Sequence, residues 1–176
     1  RAEYAGAGIG NLALGQGKVE ASLLQIANMI SIIANDGVSK NISLVKGFLS
    51  QKGEIVHDLK VEEQARRVLS PEVARELKAW MRSVTEYGTG TQAYSSSIGG
   101  TAGKTGTPQV AGDSNAKYYG YFAGFFPADQ PQYVIAILSR EESSGGTRAA
   151  TIFRETAESI YSYTQKFEKV HFEAYK

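Results

Sequence analysis

The sequence has no cysteine. That excludes disulfides, thiolate metal sites and a cysteine nucleophile, but leaves the redox compartment open, since a cysteine-free chain folds in either environment. Histidine is scarce: His57 and His171 are the only two. They stand far apart and outside any ligand-spaced cluster, so both read as surface residues rather than metal ligands. Excess charge is lacking as well. The 19 Lys and Arg are balanced by 18 Asp and Glu, a formal net of +1. Such a balance projects no broad basic field and argues against nucleic acid as a partner. No apolar run approaches the ~20 residues of a membrane span. No secretory leader opens the chain, because Arg1-Ala2-Glu3-Tyr4 runs into a glycine-rich stretch. The chain reads as though cut from something longer.

What is present is the composition of a folded domain. With 42% hydrophobic and 21% charged residues, the chain falls near the globular average and away from disorder. Its 176 residues suit one domain or a large piece of one. A chain of that length can bury roughly 70% of its unfolded surface, enough for a real core. There is no internal repeat and no low-complexity segment.

Residues 5–17 are glycine-rich and read as loop. A helix follows, with Ser22 as N-cap and Gln25 three positions on in capping-box spacing. Leu23, Ile26, Ala27, Ile30, Ile33 and Ala34 recur at helical spacing. Asn35-Asp36-Gly37 ends it, Gly37 being able to take the left-handed cap conformation. Residues 42–49 and 54–59 read as short strands joined by a turn at Gln51-Lys52-Gly53. Ser70-Pro71-Glu72 starts a second helix: a capping hydroxyl, proline at the first helical position, then an acid near the positive dipole end. Its expected apolar face is Val73, Leu77, Trp80, Met81 and Val84, and Gly88-Thr89-Gly90 stops it. A glycine-rich strand around Lys104 comes next. Residues 118–126 and 132–139 read as two further strands joined at Pro127–Pro131, the second apolar enough to be covered on both faces. Gly145-Gly146 turns into a last helix over 148–163, with Ile152, Phe153, Thr156, Ala157, Ile160 and Tyr161 facing inward. From Gln165 a charged, aromatic tail (165–176) is expected to fray or to pack as an appendage. Strands joined by tight turns favour antiparallel pairing, so the expected fold is α+β, an antiparallel sheet with helices packed on its faces.

The sharpest local signal is Gly103-Lys104-Thr105-Gly106-Thr107. A phosphate loop would need a glycine at position 98, which is Ile98, and a helix next, where Pro108 sits badly. An isolated Lys-Thr-Gly would otherwise be a flexible loop with a solvated lysine. The remaining reading is the Lys-Thr-Gly element of the serine acyl-transfer enzymes that react with penicillin, whose other signatures are Ser-x-x-Lys and Ser-Asp-Asn. A peptide substrate with a free carboxylate end needs a fixed cation and neighbouring hydroxyls to hold it. Gly106 lets the backbone approach the substrate, and a strand-edge amide can donate to the developing oxyanion. Gly88-Thr89-Gly90-Thr91-Gln92-Ala93 fits the glycine fingerprint of dinucleotide folds in letters only, because it follows a helix rather than a strand.

The company of the Lys-Thr-Gly decides between these readings. Gly15-Gln16-Gly17, Ser22 to Ala27, Ile33 to Gly37, Gly88-Thr89-Gly90, Ala102 to Thr107 with Gln109, Tyr121 to Phe125 with Pro127, and Gly145-Gly146 with Ala149-Ala150 and Ile152-Phe153 follow one another in order. In that order they resemble the transpeptidase domain of class B penicillin-binding proteins, the bacterial enzymes that cross-link peptidoglycan, over most of residues 8–160. Leu23 and Thr151 stand where that family usually carries proline, and Tyr121 stands at its tryptophan-like position. These are packing positions.

The family's nucleophile and Ser-x-Asn motifs precede the Gly-Gln-Gly segment, so the resemblance implies that this chain begins after them. Two mimics occur, Ser43-Leu44-Val45-Lys46 and Ser39-Lys40-Asn41, but both follow that segment and in reversed order. Ser43 falls in an expected strand rather than at a helix start, and only 61 residues separate it from Lys104. The resemblance thus implies the C-terminal part, residues 1–176, of a penicillin-binding D,D-transpeptidase domain with a β-lactamase-like fold. Lys104 and Thr107 would be its catalytic-site residues, Lys104 as electrostatic anchor and the Thr107 amide as an oxyanion donor. Thr105, Gly106 and Thr107 would bind the substrate, the two threonines holding its carboxylate. The substrate would be a stem peptide ending in D-Ala-D-Ala, β-lactams its mimics, and the remainder of the same domain the obligatory partner. No metal or organic cofactor is implied. The location implied is the extracytoplasmic face of a bacterial membrane, through an N-terminal anchor missing here. The chain alone would be inactive. A related β-lactam hydrolase or sensor, or a non-catalytic module of the same fold, is the alternative.

Overall fold

The computed structural model describes residues 20–45, 47–59, 64–107, 118–141 and 146–173, together with Gly10. The expected loop at 5–17 and the Gly15-Gln16-Gly17 segment therefore lie outside the described residues, Gly10 apart. The first helix, α1 (Leu23–Ala34), starts on a complete capping box. Gln25 N–H donates to Ser22 Oγ at 3.2 Å, and Ser22 N–H donates to Gln25 Oε1 at 2.8 Å. Two orphan amides are satisfied reciprocally. Gly37 ends the helix with φ +84° and donates to the Ile32 carbonyl at 2.8 Å. A Cβ at Gly37 would lie 2.3 Å from the Leu69 carbonyl oxygen, so the stop is also a close crossing of two backbones.

That crossing organises two strands absent from the sequence expectation. β1 (Val38–Lys40) pairs antiparallel with β4 (Ala65–Arg67), and Val68 and Leu69 donate to the Gly37 carbonyl. Neither segment alternates apolar and polar residues, so neither carries a strand signal. The expected strands at 42–49 and 54–59 shrink to β2 (Gly47–Leu49) and β3 (Ile55–Asp58), a hairpin turning at 51–53. Residues 42–45 are irregular, with Leu44 78% exposed. Ser43 is thus not in a strand, contrary to expectation; its hydroxyl donates to the Val45 carbonyl at 2.8 Å. Lys46 lies outside the described residues. His57 stands exposed on β3, its ring 6.4 Å from that of Phe48.

The second helix, α2 (Pro71–Glu86), opens as its sequence demands, with Ser70 Oγ accepting from Val73 N–H at 3.3 Å and Pro71 in the first turn. Its buried face agrees with the expected one in part. Val73 and Trp80 are 45% and 59% exposed, while Ala74, Met81 and Thr85 are buried. Met81 is buried and Leu77 packs against the core, both as expected, so the stripe is displaced by less than one residue's ~100°, toward Ala74 and Thr85 and away from Val73 and Trp80.

Three strands form the central sheet in the order β5 (Ala102–Gly106), β6 (Tyr118–Phe126), β7 (Tyr133–Glu141), all antiparallel. The register aligns Lys104, Ala123 and Ala136 on one face and Thr105, Phe122 and Ile137 on the other. On the first face Ala102, Ala123 and Phe125 pack with Ile30, Ile33 and Met81 of α1 and α2. On the second, Phe122 and Phe126 pack with Ala149, Ala150, Phe153 and Ala157 of α3 (Thr147–Glu173). The Phe122 and Phe153 rings are 4.7 Å apart. β7 is covered on both faces, as its sequence predicts, although the side chains of Tyr133 to Ile137 are only half-buried and Leu138 is exposed. The backbone of α3 stays helical past Gln165 to Glu173. The architecture is α+β, an antiparallel sheet with helices on both faces.

Candidate active site

Glycine lets β5 lie where it does. Gly103 and Gly124 face each other across the β5–β6 ladder. A Cβ on Gly103 would stand 2.4 Å from Phe122 Cζ, and one on Gly90 would stand 3.0 Å from Phe122 Cε2. The Phe122 ring is therefore wedged between the Gly-Thr-Gly turn and the Lys-Thr-Gly strand. Gly103-Lys104-Thr105 is extended and paired, not a loop opening a helix, which removes the phosphate-loop geometry. The Gly88–Ala93 segment follows α2 and leads into a 3₁₀ turn over Thr91–Ala93, so the dinucleotide context fails too.

The site residues divide by strand alternation. Lys104 is exposed on the face that α1 and α2 cover, and its Nζ donates to the Thr105 carbonyl at 2.9 Å. Thr105, half-buried, points to the opposite face, its hydroxyl 2.8 Å from that of Thr89. Gly106 ends β5, and half-buried Thr107 follows directly. Gln109 lies outside the described residues.

Over this end of β5 begins α3. Gly146, buried at φ +65°, comes so close that a Cβ there would lie 3.0 Å from the Tyr121 carbonyl oxygen and 3.6 Å from Thr105 Cβ. The positive end of the α3 dipole is thus set beside Thr105 and Gly106, with the Lys104 cation on the same strand. Among the described residues the other edge of β5 pairs with no strand. A cation, a helix amino end, hydroxyls and an unpaired strand edge together suit an extended ligand with a carboxylate. Thr89 and Gly146 gained no role from sequence reasoning. The only signal at either was a glycine-flanked position in a familiar segment, because the partner hydroxyl or carbonyl comes from far along the chain.

Residues 3–158 match the penicillin-binding protein transpeptidase domain. The chain belongs to that family. It is 36% identical to penicillin-binding protein PbpB of Mycolicibacterium smegmatis over 88% of this chain and 26% of that protein. It is 33% identical to the peptidoglycan D,D-transpeptidase PbpA of the same organism, over 85% of this chain and 31% of that protein. Among solved structures it resembles apo penicillin-binding protein 3 of Mycobacterium tuberculosis, with a TM-score of 0.76 and 28% identity over 93% of this chain and 40% of that one. It also resembles the ceftriaxone acyl-enzyme of penicillin-binding protein A from M. tuberculosis, with a TM-score of 0.74 and 27% identity over 86% of this chain and 35% of that one. The chain spans about a quarter to two fifths of these relatives' length. Among its described residues no helix is long and apolar enough to cross a membrane.

Proposed function

We propose that this chain carries the Lys-Thr-Gly strand of a peptidoglycan D,D-transpeptidase whose nucleophilic serine, Ser-x-Asn motif and membrane anchor come from residues outside it. The observation that carries the proposal is the end of β5, where Thr105 and Gly106, flanked by Lys104 and Thr107, meet the amino end of α3 beside a strand edge that pairs with no strand among the described residues. The stem peptide lies along that edge. Thr105 and Thr107, with Thr89 and the α3 dipole on the same face of β5, hold its carboxylate, and Lys104 on the other face serves as the electrostatic anchor. The Thr107 amide donates to the oxyanion as the serine oxygen adds to the carbonyl of the penultimate D-Ala. The terminal D-Ala leaves with a proton, and an amine of a neighbouring stem peptide displaces the serine oxygen. β-Lactams stall at the acyl stage.

The missing partner is the rest of the same domain. Leu23, Leu24 and Met29 of α1 are 38%, 45% and 54% exposed, as expected of a helix that another part of the domain covers. The location that follows is the extracytoplasmic face of a bacterial membrane.

Intact-mass analysis with a reactive penicillin tests the reading. The whole protein should take up one adduct, lost on prior denaturation, while residues 1–176 alone take up none. Lys104→Ala in the whole protein should slow acylation by roughly a hundredfold or more without lowering its melting temperature, because the side chain is exposed. An adduct on residues 1–176 alone would place a nucleophile within the chain, Ser43 first. Rapid release of hydrolysed β-lactam would make the protein a hydrolase instead.

A further inference from the structure

Two threonines behind β5 have no part in the chemistry above. Thr85, in the last turn of α2, and Thr101, immediately before β5, are both fully buried. The Thr85 hydroxyl donates to the Thr101 carbonyl at 2.6 Å. The Thr101 hydroxyl donates to the Ala93 carbonyl at 2.9 Å. The Arg82 carbonyl lies 2.9 Å from the Thr85 hydroxyl and competes for its single proton, the shorter bond running to Thr101.

The position of this pair is what matters. Gly99 and Gly100, at φ +78° and +75°, lead into Thr101. Glycine in that region constrains the chain less than any other residue. β5 itself pairs on one edge among the described residues. Gly100 N–H donates to the Ser95 carbonyl at 3.1 Å and the Gly99 carbonyl accepts from Ala128 N–H at 3.2 Å, but Thr101 is where side-chain hydroxyls tie the segment to α2 and to the Thr91–Ala93 turn, and Lys104 follows three residues later. A hydroxyl in a dry interior holds a carbonyl in direction as well as distance.

We propose that Thr85 and Thr101 are positioning residues. Their two hydroxyl bonds set the height of the Lys-Thr-Gly strand against the half of the domain that brings the serine. This inference rests on the transpeptidase reading. A shift of about 1 Å in a group that orients the reacting atoms can cost on the order of a hundredfold in rate, so the loss of either bond acts on acylation through Lys104 and the Thr107 amide.

The test uses the whole protein and stopped-flow acylation by a fluorescent penicillin. The acylation rate constant is separated from the binding constant and expressed per acylable molecule, counted by intact mass. Thr101→Val and Thr85→Val should each lose about tenfold or more in that rate constant. Thr101→Ser and Thr85→Ser, which keep the hydroxyls, should stay within about threefold of the unmodified protein. Valine variants that melt earlier yet acylate at the unmodified rate per acylable molecule would overturn the proposal, because the bonds would then serve stability alone. If Thr101→Val does not fold, Thr85→Val decides, since it leaves the Thr101–Ala93 bond in place. An unmodified protein that takes up no penicillin at all would remove the transpeptidase reading itself, a result distinct from any effect of the variants.

Discussion

Gly124→Ala is the sharpest test of how the Lys-Thr-Gly strand is held. A methyl group at position 124 would lie 2.4 Å from the Ala102 carbonyl oxygen, 3.0 Å from Gly103 Cα and 3.0 Å from Phe122 Cε1. Ordinary contact begins near 3.4 Å, so the ladder must open by about 1 Å at its centre. The first two obstructing atoms are backbone atoms of β5, and no rotamer change relieves them. Overpacking of this kind costs about 1–3 kcal/mol. The displacement falls on the residues just before Lys104, so acylation should drop by tenfold or more alongside the melting temperature. Gly106→Ala is the control. Its Cβ would meet only Tyr121 Cβ, at 3.4 Å, so melting should not change while acylation falls, because the new methyl group borders the proposed substrate edge. Thermal melting and penicillin acylation of the whole protein read both effects. A Gly124→Ala protein with unchanged melting and unchanged acylation would refute the idea that backbone spacing across the 102–125 ladder fixes the strand.

Two other expectations concern stability. Phe153 is fully buried against Phe122 and Phe126, so Phe153→Ala should destabilise the domain by about 3–5 kcal/mol in chemical denaturation; a loss below about 1 kcal/mol would mean that the α3 face is not core. The exposed Glu72 carboxyl is held below its ordinary value of 4.5 by its own backbone N–H and then by the Ser70 hydroxyl. A lowered carboxyl contributes stability that is full above the ordinary value and is lost as pH falls through the lowered one. Glu72→Gln should therefore be less stable than the unmodified protein near neutral pH, and the gap should close in acid. A gap that widens in acid would contradict the assigned direction.

Much of the framework is legible in the sequence because it rests on contacts within a few residues. The Ser22–Gln25 box, the Ser70-Pro71 helix start and the Gly37 stop each depend on neighbours three to five positions away. The apolar runs at 118–126 and 132–139 announce buried strands, and the short loop between them dictates antiparallel pairing. The order of small-residue segments around Lys104 identifies the family, and Gly90, Gly103, Gly124 and Gly146 mark close approaches at which a Cβ would crowd its neighbours.

What lay beyond the sequence depends on partners distant along the chain. β1 and β4 exist because Gly37 meets Leu69, and nothing in Val38–Lys40 or Ala65–Arg67 alone requires a strand. On α2, Leu77 and Met81 face inward as their spacing predicts, but Val73 and Trp80 are exposed while Ala74 and Thr85 are buried, and periodicity alone does not choose between adjacent, overlapping stripes. The separation of Lys104 from Thr105 onto opposite faces follows from the pleat, but Thr89, Gly146 and the Thr85–Thr101 pair acquire their places only when the sheet and its helices have packed. Local hydrogen bonding and side-chain period are properties of the sequence alone; which hydroxyl meets which carbonyl across the core is decided by close packing of the whole domain.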